Sequence, residues 1–139
     1  MKSLCNLIVF IGIIILLGFS SCSSNEDELP KELTIEDKIE LLEKGDWLLK
    51  GLEKNVKHTF KSGKRSTFYG IDGVFTTPIP RTFDYYKTNE KLTINYGGSN
   101  IKSYEVEFSC ENTIVSFFIN KEVLQVLYKE GSNYKTCIE

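Results

Sequence analysis

From Asp46 to Ile138 the chain is a run of short stretches in which apolar and polar residues alternate, each closed by a turn signal. A period of two places alternate side chains on one face of a strand. Val56, His58 and Phe60 alternate with Lys57, Thr59 and Lys61. Leu92, Ile94 and Tyr96 alternate with Thr93 and Asn95, and Tyr104, Val106 and Phe108 with Glu105 and Glu107. Further strands are expected over 47–52, 66–70, 82–87, 113–119, 123–129 and 134–138, with Leu124, Val126 and Tyr128 sharing one side. Ser62-Gly63-Lys64, Asp72-Gly73, Gly97-Gly98-Ser99-Asn100, Glu111-Asn112, Asn120-Lys121 and Gly131-Ser132-Asn133 supply the turns. Pro78 and Pro80 rule out a central strand over 74–81, which reads as an irregular edge or a loop.

About eight strands thus follow one another with connections too short for helical crossovers. Parallel pairing needs such crossovers, so the sheet is expected to be an antiparallel meander. Closing it into a barrel removes its edges; an open sandwich is the alternative. The chain contains no alanine while aromatic residues make up 12 % of it, a balance that favours strands. One helix is expected ahead of them, over 34–44. Thr34 is placed to cap it with Asp37 three residues on, Ile35, Ile39, Leu41 and Leu42 form an apolar stripe, and Gly45 is placed to end it. The expected fold is all-β: an eight-stranded antiparallel up-and-down barrel with a short N-terminal helix as its plug or lid.

Upstream, Met1 and Lys2 give a short positive start, 7–17 is apolar throughout, interrupted only by Gly12, and Ser20 and Ser21 are small. This is the layout of a secretory signal, with an apolar core too short to span a bilayer comfortably. Phe19-Ser20-Ser21-Cys22 resembles a bacterial lipobox. The resemblance implies cleavage before Cys22 and a diacylglycerol, with acyl chains such as palmitate, on its thiol. Each buried CH₂ contributes roughly 0.8 kcal/mol, so two or three chains hold lastingly where one does not. Ser23-Ser24-Asn25-Glu26-Asp27-Glu28 is too polar to fold and serves as a tether. It also resembles the acidic export signal of Bacteroidota surface lipoproteins, which implies an outer-membrane protein facing the cell exterior. Residues 23–33 span roughly 18 Å as a flexible coil. The division is a signal peptide over 1–21, a lipidated cysteine and tether over 22–33, and a barrel domain over 34–139.

Loss of the signal removes only Lys2 from the charge balance, leaving 16 basic against 19 acidic residues, a net charge of −3. That is no footprint for nucleic acid. Of the four cysteines, Cys5 leaves with the signal and Cys22 is taken by lipid, so Cys110 and Cys137 remain as a pair in an oxidising compartment. In a strict meander they sit too far apart to bond. Either the disulfide is absent, or the last segment is not a regular strand.

Gly45-Asp46-Trp47 stands where the helix passes into the first strand, and this matches the Gly-x-Trp signature of lipocalins. With the meander behind it, the chain from Ile35 to Ile138 resembles a small bacterial lipocalin-like domain. The resemblance implies that Trp47 closes one end of the barrel. A late Arg packs over that Trp in lipocalins, and the nearest candidate here is Lys129.

The candidate site is the aromatic inner face: Trp47, Phe60, Phe68, Phe83, Tyr85, Tyr96, Tyr104, Phe108 and Tyr128, joined by His58. These residues either fill the barrel as core or line a cup for a small apolar or aromatic ligand. Residues 75–81 are placed to act as a lid. His58, the only histidine, is a core or rim residue on one view and a base for Ser66 or Thr67 on another, although no spacing supports a catalytic set. Glu105 and Glu107 share a solvent face, and neither a metal-binding pattern nor a phosphate loop is present. The expected function is a membrane-anchored, non-enzymatic lipoprotein that binds a small hydrophobic molecule without metal or cofactor. The alternative is an envelope protein-interaction module or inhibitor with a solid core, acting through its outer surface and loops.

Overall fold

The computed structural model describes residues 32–138. The signal segment, Cys22 and the acidic run lie outside the described residues. Helix α1 (Ile35–Glu43) leads into β1 (Asp46–Leu49), β2 (Val56–Lys61), β3 (Lys64–Tyr69), β4 (Phe83–Thr88), β5 (Lys91–Asn95), β6 (Ile101–Ser109), β7 (Ile114–Ile119) and β8 (Glu122–Lys129), followed by a 3-10 turn at Tyr134–Cys137. Each strand pairs antiparallel with the next and β8 pairs back to β1, so the sheet closes into an eight-stranded up-and-down barrel. The barrel, its plug and its core all belong to one compact unit, Glu32–Glu139.

The helix begins where Thr34 and Asp37 exchange bonds. The Thr34 N–H donates to Asp37 Oδ2 at 3.0 Å and the Asp37 N–H to Thr34 Oγ1 at 3.2 Å, a complete capping box. Ile35 and Leu42 are buried with Ile39 packed beside them, so the apolar stripe closes one end of the barrel. Glu36 pairs with Lys87, and Glu43 accepts from the Tyr85 hydroxyl, which ties both ends of α1 to β4. Gly45 is not the cap. Lys44 ends the helix in right-handed geometry, at φ −81° and ψ −1°. Position 45 is close-packed: a Cβ there would lie 3.3 Å from the Trp47 ring and 3.2 Å from Lys129 Cε, so either neighbour would have to give by a few tenths of an ångström. The fully buried Trp47 donates its indole N–H to the Leu42 carbonyl at 2.8 Å, satisfying a helix-end acceptor. Lys129 is its cross-strand neighbour on β8.

Several expectations about the strands change, and β3 begins at Lys64 where 66 was expected. The first strand stops at Leu49 rather than 52, because Gly51 enters the left-handed region at φ +82° and starts a turn. Phe68 faces outward. The two-residue turn Ser62-Gly63, with φ of 50° and 75°, fixes Phe60 opposite Arg65, His58 opposite Thr67 and Lys57 opposite Phe68. Directly paired residues share a face, so Arg65 and Thr67 take the interior and Phe68 lies outside, 5.4 Å from the Lys57 ammonium. Tyr128 also faces outward, with Val126, while Leu127 is the core residue. Strand β8 is apolar on both faces, so its sequence does not choose a phase.

What chooses it is the C-terminal segment, which is a 3-10 turn and not a ninth strand. Its Tyr134 stacks on Tyr128 with centroids 4.4 Å apart and Ile114 beneath, so the outer face of β7 and β8 is covered here. Cys110 and Cys137 form a disulfide with their Cα atoms 6.0 Å apart. The irregular ending brings them together where a meander strand would not. Closing a span of 27 residues contributes about 3 kcal/mol by restricting the unfolded chain.

The helix and the β2–β3, β4–β5 and β6–β7 turns share one end of the barrel. The β1–β2, β3–β4, β5–β6 and β7–β8 connections make up the other, the loop end. Pairing between β3 and β4 is limited to Lys64↔Asp84 and Arg65↔Phe83. Beyond that point the proline segment takes over beside β3: Phe68 bridges to Pro78, and the Ile79 N–H donates to the Thr67 carbonyl at 2.8 Å.

Candidate functional site at the loop end

The interior has an apolar half and a polar half. Toward the helix, Trp47, Phe60, Tyr85 and Phe108 are packing residues: Trp47 meets Phe108 edge-on at 5.8 Å, Phe60 meets Tyr85 at 5.5 Å, and Phe117 stacks on Phe60 at 6.3 Å. Burial, then the Glu43 carboxylate, holds the Tyr85 phenol well above its ordinary pKa. Toward the loop end, Phe83 and Tyr96 pack against each other at 5.0 Å. Arg81 lies 5.2 Å from the Phe83 ring and donates to the Tyr96 carbonyl at 2.6 Å, so the end of the long β3–β4 connection is pinned over them.

Arg65 lies between these halves and is only 5 % exposed. Its Nη1 donates to the Tyr96 hydroxyl at 3.0 Å, which lies 2.9 Å from the Tyr104 hydroxyl. Its Nη2 lies 2.8 Å from His58 Nε2. A guanidinium only donates, so this imidazole nitrogen accepts and the ring proton sits on Nδ1, which donates to Thr67 Oγ1 at 3.0 Å. The Gln125 amide nitrogen stands 3.3 Å from the same His58 Nε2. Tyr96 directly follows β5 and Gln125 lies in the first half of β8, so the guanidinium head is on the loop-end side of the core.

Burial and then the positive charge of Arg65 lower the His58 pKa to about 3. The imidazole is therefore neutral near pH 7, with its lone pair and its proton both engaged. Thr67 accepts a hydrogen bond from His58 and is not activated by it, and Ser66 lies on the opposite face. Burial also draws Arg65 below its ordinary value, but a guanidinium stays charged at neutral pH. Burial and the Tyr96 hydroxyl hold the Tyr104 phenol above its usual range.

Arg65 makes no ion pair among the described residues. Two aromatic rings, Phe60 and Tyr96, lie 5.9 Å from its guanidinium carbon, and its Nε–H is buried without a partner. A buried cation is normally paired with an anion. Of the inner-face residues expected from the sequence, the structure gathers His58, Tyr96 and Tyr104 here, with Phe83 alongside. Arg65, Thr67 and Gln125 are members that inner-face alternation of aromatic residues does not reveal. Pairing β2 with β3 across Ser62-Gly63 places Arg65 and Thr67 inside at once. No family model, curated protein or solved structure matches this chain.

Proposed function

We propose that this is a lipid-anchored protein of the outer membrane, displayed on the cell exterior, whose barrel captures a small hydrophobic molecule at its loop end. Cys22 carries the lipid in this reading, and residues 23–33 hold the barrel away from the headgroups. The observation that carries the capture role is the distribution of exposed apolar surface. Among the described residues nine large apolar side chains are exposed, and seven of them stand at the loop end: Leu52, Tyr69, Ile71, Val74, Ile101, Val123 and Leu124. Single exposed apolar residues are ordinary, whereas their concentration at one end of the barrel supports a contact region there. The rings deep in the barrel then serve as a rigid base, and Phe83, Tyr96 and His58 lie nearest the ligand. The engaged imidazole of His58 supports a binding role over a catalytic one. A second reading, an envelope interaction module, draws support from the packed core and from an outer groove of about 770 Å³ bordered by Leu52, Phe75, Tyr134 and Ile138.

One experiment addresses anchor and capture together. The full-length chain and its Cys22→Ser variant are expressed in a bacterial host, the cells fractionated, and organic extracts of both purified proteins analysed by mass spectrometry. The expected result is the parent in the outer-membrane fraction, the variant folded and absent from that fraction, and one apolar compound recovered near-stoichiometrically from both. A variant that stays in the outer-membrane fraction contradicts the anchor. Extracts empty of any compound contradict capture and favour the interaction module.

A further inference from the structure

We propose that the molecule captured at the loop end is an anionic amphiphile, whose acidic head is taken by Arg65 and whose apolar body rests against the loop-end rim. This rests on the capture reading above and specifies its ligand class. A guanidinium removed from water calls for an anion of matching fork geometry, and carboxylate, sulfonate and phosphate groups all provide one. Here the described residues supply two neutral partners and two ring faces but no carboxylate, and they leave the Nε–H unbonded. The Nε and Nη2 edge is the free side of the fork once His58 yields. An oxygen pair on the ligand accepts from both nitrogens. His58 Nε2 then turns to the Gln125 amide, already 3.3 Å away, so the exchange leaves no acceptor stranded. Fixed positive charge on the loop-end side of the core and exposed apolar residues at that same end suit a molecule that carries both characters, and suit a neutral hydrocarbon less well.

The test uses the compact unit Glu32–Glu139, which holds the whole barrel, its plug and its disulfide. The probes are 1-anilinonaphthalene-8-sulfonate and N-phenyl-1-naphthylamine, which share an aromatic body and differ only in the sulfonate. The expected result is at least tenfold tighter binding of the sulfonate probe. In Arg65→Met that preference disappears and the two probes bind alike. Equal binding by the parent, or tighter binding of the neutral probe, overturns the anion site and leaves capture standing. Binding of neither probe overturns both. A sulfonate preference that survives Arg65→Met assigns the charge to a surface cation and also overturns the proposal. If the variant fails to fold by near-UV circular dichroism, competition on the parent decides: dodecanoate is expected to displace the sulfonate probe at a concentration at least tenfold below that of dodecanol, and equal displacement rejects the site.

Discussion

Trp47→Ala is expected to destabilise the barrel by about 3–5 kcal/mol, read from the urea midpoint of the parent and the variant. The side chain is wholly buried and holds three elements at once. It packs edge-on to Phe108 of β6, lies against the space kept by Gly45, and bonds the end of α1 through Leu42. Truncation leaves a cavity and removes the shorter of the bonds that the Leu42 carbonyl accepts, the other coming from the Gly45 N–H at 3.4 Å. A domain of this size holds roughly 5–15 kcal/mol, so the loss is a large share of the total. Trp47→Phe keeps most of the volume and loses the donor, so it is expected to cost about 1–2 kcal/mol. A loss under about 1 kcal/mol for the alanine variant would mean that the helix end is not the structural base of the barrel.

The second large effect is on acid stability, and it comes from His58. The folded state holds this imidazole neutral with a pKa of about 3, below its ordinary value of 6.5. The unfolded chain therefore binds a proton below about pH 6.5 that the folded barrel refuses until about pH 3. Stability from this group is complete above pH 6.5 and falls with acidification, by up to about 1.4 kcal/mol per pH unit, until about 5 kcal/mol is gone. His58→Gln retains an acceptor for Arg65 but does not titrate. The difference in unfolding free energy between parent and variant is expected to shrink steadily from pH 6.5 to pH 4 if the variant starts out less stable, because only the parent loses this contribution. Carboxylates titrate in both proteins and cancel in that comparison. Parallel stability curves for the two would show that His58 protonates in place and that the polar cluster is open to water.

The architecture was legible because its determinants are local. Alternation in β2, β5 and β6, the turn residues between them and the Thr34–Asp37 pair each specify their own segment, and closure follows from short antiparallel connections. Phase was harder to read wherever both faces of a strand are apolar. Tyr128 and Leu127 compete for the interior of β8, and the winner is set by Tyr134 and the disulfide from outside the strand. Phe68 illustrates the opposite error, in which an aromatic residue suggests the core while hairpin register gives the interior to Arg65 and Thr67. The polar cluster was hidden for the same reason. An expected strand over 66–70 leaves Arg65 outside it, whereas β3 begins at Lys64 and pairs Arg65 with Phe60, which places it inside.

The barrel proposed here is solid at the helix end and receptive at the loop end, around Arg65. Amide chemical-shift mapping of Glu32–Glu139 during titration with 1-anilinonaphthalene-8-sulfonate tests it most directly. The predicted result is a set of shifts confined to His58, Arg65, Thr67, Tyr96, Gln125 and the neighbouring loop-end connections, with Leu42 and Trp47 unmoved. Shifts centred on the outer groove at Leu52, Tyr134 and Ile138, or no shifts at all, would contradict it.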